Sequence, residues 1–518
     1  MNRYERLWVF AGLLSLLAVG SHLRADIFEI AGLNNNLLPH WAPIWSWESP
    51  TPSWDPNRST TAMAARHALI ASLTGVERVG TCCIEGINRE GLAMHVCFAP
   101  GTPQWYVDYI SHLIFGDFSP AYDLGGRWSS TSYGSTGSRG NPIRLRWSFV
   151  PDGTLVPGIS GGSTPSNLIA SMNSKFGGNT TLWKNQFRNS FARWAQLAGI
   201  QYTEVSDDGA AFPDSPGSTT RGDVRIGGRN LDGVNGVLAF NYLPNTGDMV
   251  IDTSENWQNG RGTYRFLRNT VMHEHGHGLG LLHVIPTDGT KLMEPYLNTS
   301  FDGPQDDDIR AAQRNYGDPH EVNNTAPTAT PIDMTNTNLV VMNTPSLDRT
   351  ADVDFYRITV PPSRKITITV TPIGSTYQVG GQDGNPPQTT VNTRAIQNLQ
   401  VELRAPNGST VLASATANGT GVAEQIANFV LYPAGGNFYV RVFSGSGSTD
   451  DVQRYELRLQ TTALPTGDID GNGCVDDADL LAVLFNFGGS DPRYDLNGDG
   501  IVDDADLLTI LFNFGNGC

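Results

Sequence analysis

Apolar and polar residues alternate along this 518-residue chain with periods that change from region to region. Ile143-Arg144-Leu145-Arg146-Trp147-Ser148-Phe149-Val150 alternates two by two, which predicts a half-buried strand. Trp183, Phe187, Phe191, Trp194 and Leu197 recur at steps of three and four, the pattern of a helix burying one aromatic face. Short apolar stretches at 200–205, 223–226, 238–240 and 249–251 predict further strands, and helices follow at 264–279 and 306–316. The second helix opens on Asp306-Asp307-Asp308, which suits the positive end of a helix dipole. This order predicts an α+β domain over 123–318. After a linker marked by Asn323-Asn324-Thr325-Ala326-Pro327, alternating segments at 354–360, 366–370, 399–403, 438–442 and 455–459 predict an all-β sandwich over 319–465. Residues 466–518 repeat with a period of 27, and each copy runs into a short helix: Leu480, Leu481, Leu484, Phe485, then Leu507, Leu508, Leu511, Phe512. The chain reads as multidomain.

The N-terminus changes the compartment. Arg3 and Arg6 precede an apolar run from Leu7 to Val19, and Leu23-Arg24-Ala25 offers a cleavage site, so 1–25 reads as a signal peptide and the protein as secreted. An uncleaved anchor, and with it attachment to the cell surface, is the alternative. Residues 26–122 carry no readable motif beyond a short helix at 62–73, and their position suggests a propeptide. The net charge of −17 leaves no basic stripe for phosphates and excludes nucleic-acid binding. Eleven Asp against one Arg fall within 468–518, a density that points to cation binding. Export permits disulfides among Cys82, Cys83, Cys97, Cys474 and Cys518. A bridge between adjacent cysteines is strained, so if Cys97 pairs with Cys82 or Cys83 one thiol is left over. A free thiolate in that segment could block a metal site. Cys474 and Cys518 flank the repeats, and a bridge between them would clip the ends of that module.

The chemistry concentrates in His273-Glu274-His275-Gly276-His277-Gly278-Leu279-Gly280-Leu281-Leu282-His283. Only ten histidines occur in the chain, and four of them fall in these eleven positions. On a helix, His273 and His277 project from one face and can share a zinc ion. Glu274 lies beside them as a general base. Gly280 tolerates a reversal of the chain, which returns His283 as third ligand. His275 points elsewhere. The spacing H-E-x-x-H-x-x-G-x-x-H is the metzincin signature of zinc endopeptidases.

Residues 123–318 resemble the matrixin branch of that group. The resemblance implies that Leu292-Met293-Glu294-Pro295 forms a turn with Met293 beneath the zinc, and that Asp308-Ile309 through Tyr316-Gly317 forms the closing helix. It also implies a structural calcium loop holding Asp248, Asp252 and Glu255. Phe240 and Val250 stand where a second, structural zinc would require histidines, so a single zinc is expected. Tyr296 is one residue out of step with the family's specificity-pocket tyrosine and receives no role. The sandwich resembles a bacterial pre-peptidase C-terminal domain through Asp352-x-Asp354-Phe355-Tyr356, Tyr439-x-Arg441-Val442 and Tyr455-x-Leu457.

In the tail, Asp468, Asp470, Asn472, Asp476 and Asp479 occupy loop positions 1, 3, 5, 9 and 12, and Asp495, Asn497, Asp499, Asp503 and Asp506 repeat them, with glycine at position 6. That is calcium-loop spacing. These half-motifs resemble dockerin repeats, which implies a cohesin-like or cell-surface partner. The expected function is hydrolysis of protein or peptide substrates with zinc and calcium. The rival is a calcium-dependent adhesion or scaffold protein whose peptidase region is vestigial.

Overall fold

The computed structural model describes residues 94–102 and 124–518, apart from 160, 214, 261, 285–287, 380–388 and 447–450. All of them belong to one compact unit. The signal peptide, the helix at 62–73 and Cys82 and Cys83 fall outside the described residues.

Six strands build the first sheet: β1 (Met94–Phe98), β2 (Ile143–Phe149), β3 (Ile200–Glu204), β4 (Val224–Arg229), β5 (Val237–Tyr242) and β6 (Met249–Asp252). Their spatial order is β1-β5-β6-β4-β2-β3. Neighbours among β3, β2, β4 and β6 pair in parallel, whereas β5 is antiparallel to both β6 and β1. Three helices, α1 (Leu168–Lys175), α2 (Thr180–Leu197) and α3 (Arg265–Gly278), share one core with the sheet. The aromatic stripe of α2 is buried as its spacing predicts, and Phe191 stacks on Trp147 of β2 with centroids 4.5 Å apart. Each such burial contributes roughly 1.5–3 kcal/mol. Phe240 and Val250 lie in a second apolar cluster with Val96, Phe98 and Phe212. Helix α4 (Asp306–Tyr316) closes the region, and Tyr316 donates from its hydroxyl to the Leu279 carbonyl at the end of α3, 2.8 Å away.

β1 lies in the segment read as propeptide-like, 26–122, and pairs residue by residue with β5 of this sheet. Five residues carry too little periodicity to declare a strand whose partner is over 130 residues away.

The next region is a pair of facing sheets around a common core. One orders Thr330–Asp333, Val353–Val360, Gly436–Ser444, Leu399–Arg404 and Val411–Ala415; the other orders Leu339–Met342, Gln453–Ala463, Arg364–Pro372 and Glu424–Val430, with Ser346–Leu347 also on Gln453–Ala463. This sandwich docks along α4. Gln313 donates to the carbonyls of Leu197 and Thr344, and Asp318 accepts from the Ser346 N–H.

The tail holds α5 (Asp477–Phe485) and α6 (Asp504–Asn513). Val475, Val483, Val502 and Ile510 form its small core. Cys474 and Cys518 are bridged. No described helix is long and apolar enough to cross a membrane.

Candidate metal centre

Helix α3 presents His273 and His277 one turn apart on the same face. The helix ends at Gly278, and Gly280 takes a φ of +86°. A Cβ on Gly280 would meet the Gly126 carbonyl oxygen at 1.8 Å, so a glycine is required where the chain turns back towards His283. The three Nε2 atoms then stand 3.1, 3.1 and 3.2 Å apart. His273 and His277 each place Nδ1 2.7 Å from a backbone carbonyl, of Leu292 and Leu281 respectively. Those acceptors assign the ring protons to Nδ1 and leave the Nε2 lone pairs facing one another. Facing lone pairs repel unless a cation lies between them, and tetrahedral zinc ligands at about 2.0–2.1 Å stand roughly 3.3 Å apart. Burial lowers the pKa of His273 to about 4, which keeps it in the neutral form that binds metal. The donor set fits zinc.

Glu274 is fully buried, and neither carboxylate oxygen has a side-chain hydrogen-bond partner among the described residues. Burial pushes its pKa well above the usual range, with the facing Cys97 N–H acting in the opposite sense. His275 is turned away from the other three: its Nε2 lies 2.7 Å from the Tyr202 hydroxyl and its ring packs on Phe191.

β1 brings Cys97 to this centre. Ligand atoms of Cys97, His273 and Glu274 lie within 4.8 Å of one another. Among the described residues Cys97 is a free thiol, buried where β1 carries it inside against α3; Cys82 and Cys83, with which the sequence reading allowed it a disulfide, lie outside them. Burial, and then the Glu274 carboxylate, push its pKa well above the ordinary thiol value. The chain around it is held on both sides. β1 pairs with β5, the Phe98 N–H donates to the Pro295 carbonyl at 3.2 Å, and the Leu297 N–H donates to the Phe98 carbonyl at 3.1 Å.

Met293 packs directly under α3: a Cβ on Gly276 would lie 2.5 Å from its sulfur. The backbone N–H groups of Leu292 and Met293 donate to the Asp308 carboxylate at 2.8 and 3.0 Å. Burial, then the neighbouring Asp307, raises Asp308 to about 7. Sequence reading took Asp308 as a dipole partner of its helix and missed this contact, which no local pattern announces.

The expected calcium trio is only partly assembled. Asp252 raises the pKa of its neighbour Glu255, after burial itself, and Asp232 acts in the same sense. Asp248 is engaged elsewhere, accepting from the Arg225 N–H at 2.8 Å. It is adjacent in sequence to β6, but that strand points it towards β4, so the three carboxylates do not converge.

In the tail, ligand atoms of Asp468, Asp470 and Asp479 come within 4.8 Å of one another. Both loops share one internal pattern. Asp468 accepts from the N–H groups of Gly471 and Gly473, and Asp495 from Gly498 and Gly500. Asp479 accepts from Ile469 and Asp476, and Asp506 from Leu496 and Asp503. Asp476 and Asp503 cap α5 and α6. Asn472 and Asp499 accept from Cys474 and Ile501, while the amides of Asn472 and Asn497 reach Asp470 and Asp499. A third acidic group, Glu321 with Asp352 and Asp354, lies where the sandwich begins and was not singled out from the sequence. Burial, then Asp352 and Asp318, raises Glu321 to about 9, and burial raises Asp318 to about 7.

With this geometry in hand, likeness to known proteins is specific for one stretch. The matrixin (Peptidase_M10) family model matches residues 169–317. Residues 169–317 are thus similar to matrixin-type zinc metalloendopeptidase domains. Hatching enzyme of Paracentrotus lividus is 34% identical over 147 residues, covering 26% of this chain and 22% of that protein. Stromelysin-3 of Mus musculus is 30% identical over 175 residues, covering 32% and 34%. The chain thus spans between about a fifth and a third of these two relatives' lengths. The pre-peptidase C-terminal domain of collagenase from Bacillus anthracis aligns at 19% identity and a TM-score of 0.17, over 26% of this chain and 94% of that one. At that score the likeness carries no argument about the sandwich. The histidines, Glu274, Met293 and α4 all lie inside the matrixin domain, whereas β1 lies outside the matched residues.

Proposed function

We propose that the chain is a secreted zinc-dependent endopeptidase acting on extracellular proteins, held latent by β1. The observation that carries this reading is the convergence of three histidine Nε2 atoms beside a buried carboxylate that has no side-chain hydrogen-bond partner among the described residues. His273, His277 and His283 would hold the ion, which supplies Lewis acidity for peptide carbonyls and for water when bound. Glu274 takes the proton from the attacking water and returns it to the leaving amine. Met293 supports α3 from below. An extended substrate would lie where Phe98 now sits, between β5 and residues 295–297, so β1 and Cys97 must leave first. Gelatin or casein hydrolysis, with and without a zinc chelator and in the Glu274→Gln variant, tests the reading. Chelator-insensitive hydrolysis by that variant would sink it.

The tail supports an attachment role beside the enzyme. Leu481, Leu484 and Phe485 on α5, and Leu508, Leu511 and Phe512 on α6, are exposed at matching positions of the two repeats. Calcium would be held by the ten tail residues named above, and the apolar face they present suits a cohesin-like or cell-surface protein. Pull-down by an isolated cohesin that persists in EDTA would count against calcium in this role. An adhesion protein without peptidase activity is disfavoured by the intact Glu274 and triad.

A further inference from the structure

Tyr377 belongs to the sandwich, in the strand Thr376–Val379, yet its side chain ends inside the matrixin domain. Its hydroxyl donates to the Asp307 carboxylate at 2.7 Å and accepts from the Arg310 guanidinium at 2.7 Å. The Lys291 ammonium lies 5.5 Å from the centre of its ring. Arg310 also donates to the Val452 carbonyl at 3.2 Å and pairs with Asp451, while Arg454 donates to Asp306 at 2.6 Å. The sandwich therefore grips the first turn of α4 through several charged contacts, and Tyr377 joins that turn to Lys291.

What this turn does for the metal centre is already visible. Asp308, next to Asp307, holds the N–H groups of Leu292 and Met293. The Leu292 carbonyl faces His273 Nδ1 at 2.7 Å. Lys291, buried and paired with Asp288 and Glu294, precedes Leu292 directly. A continuous path of hydrogen bonds and covalent neighbours runs from Tyr377 through Asp307–Asp308 and Leu292 to the carbonyl that fixes the tautomer of His273, and the Lys291 ammonium, over the Tyr377 ring, precedes that residue in the chain.

We propose that Tyr377 is a positioning residue for the metal centre: the sandwich sets the 291–293 turn, and through it the orientation of His273, so the matrixin domain and sandwich work as one unit. The inference rests on the zinc reading above. Groups that bond directly to a metal-ligating histidine typically govern metal affinity by 10- to 100-fold, and Tyr377 acts further out, through Asp307, Asp308 and Leu292, so a smaller effect of about 3- to 10-fold is expected.

Tyr377→Phe removes one oxygen and keeps the ring. Zinc affinity of the full-length protein, read by competition with a chromophoric chelator, is the primary measurement, beside His273→Ala and a control, Ile366→Val, in the sandwich core away from α4. Ile366→Val should lower the thermal midpoint and leave zinc affinity unchanged. Tyr377→Phe should release zinc about 3- to 10-fold more readily, and in the processed enzyme lower kcat more than it alters KM. Wild-type zinc affinity in Tyr377→Phe, with only a lowered midpoint, would overturn the inference while leaving the zinc reading intact. A wild-type protein that binds zinc no better than His273→Ala would overturn the zinc reading itself.

Discussion

The histidine triad and the C-terminal loops both gather metal-binding side chains, but their surroundings differ. His273, His277 and His283 are at most 2% exposed, inside a core that is complete without them. The Nδ1 protons of His273 and His277 are committed to carbonyls, and Glu274 beside them has no side-chain hydrogen-bond partner among the described residues. In the tail, Asp470, Asn472, Asn497 and Asp499 are exposed, and the inner carboxylates satisfy themselves on the N–H groups of their own loops. The matrixin site is thus prepared by packing, with polar atoms left open for chemistry. The loops have a small core of four buried apolar side chains and one disulfide, so a cation held there would contribute far more to their order.

The largest effect should come from the buried site. Glu274→Gln keeps the volume of the side chain and all three histidines but removes the base, so peptide hydrolysis by the processed enzyme should fall by roughly 10²–10⁴-fold. Zinc content by mass spectrometry under native conditions should be unchanged. Full activity in this variant, or loss of zinc along with activity, would remove the distinction between ligand and base. Cys97→Ser is the companion test on the latent side. Without the thiol beside His273 and Glu274, the unprocessed chain should hydrolyse substrate measurably faster than wild type. Equal rates would place latency in the β1 backbone alone.

The second test reverses the comparison. Chelating calcium with EGTA should abolish amide protection in α5 and α6 while the sheet β1–β6 keeps its own. If the tail stayed protected without calcium and with its disulfide reduced, the four-residue core would be sufficient and the loops would need no ion.

What could be read from the sequence follows the same division. The triad was legible because a helix and one reversal bring its members together within eleven residues, and the aromatic stripe of α2 because its period is local. The tail was legible because it repeats. A thiol from the 26–122 segment at the metal site was foreseen, but not that it would be Cys97, and Tyr377 was not legible at all: each reaches the metal region from another part of the chain, through strand pairing or docking that leaves no periodic trace. Asp248 shows the converse: it stands near Asp252 in sequence, but just before β6 it accepts from the Arg225 N–H of β4, a contact that no local spacing announces. The cluster of Glu321, Asp352 and Asp354 was overlooked because its members come from a linker and a strand that meet only when the sandwich docks.

That cluster yields a smaller effect of defined sign. Glu321 has a folded pKa raised to about 9 and Asp318 one raised to about 7, both by burial first. A raised carboxylate pKa means the folded state binds the proton more tightly than the unfolded one. Its stabilising contribution is complete below the ordinary carboxylate pKa and is lost as pH rises through the folded value. With divalent cations chelated, the thermal midpoint should therefore fall between about pH 4.5 and 9. Glu321→Gln should flatten the upper part of that decline, and an unchanged slope in the variant would show that Glu321 is not the group responsible.

The smallest effect separates structure from ion binding within one tail residue. Asp503 caps α6 by accepting the Ala505 N–H at 2.9 Å, and it also occupies loop position 9. Loss of a cap costs about 1 kcal/mol, whereas serine replaces aspartate at that position almost without loss. In EGTA, Asp503→Ala should destabilise α6 by that amount and Asp503→Ser should not, as read by hydrogen exchange of the Leu507 and Leu508 amides. With calcium present the order changes if Asp503 also serves the ion. Serine then keeps the cap but removes a charge from the loop, so calcium affinity should drop in both variants. Should Asp503→Ser bind calcium as wild type does, Asp503 is a capping residue only, and the second loop holds its ion with Asp495, Asn497, Asp499 and Asp506.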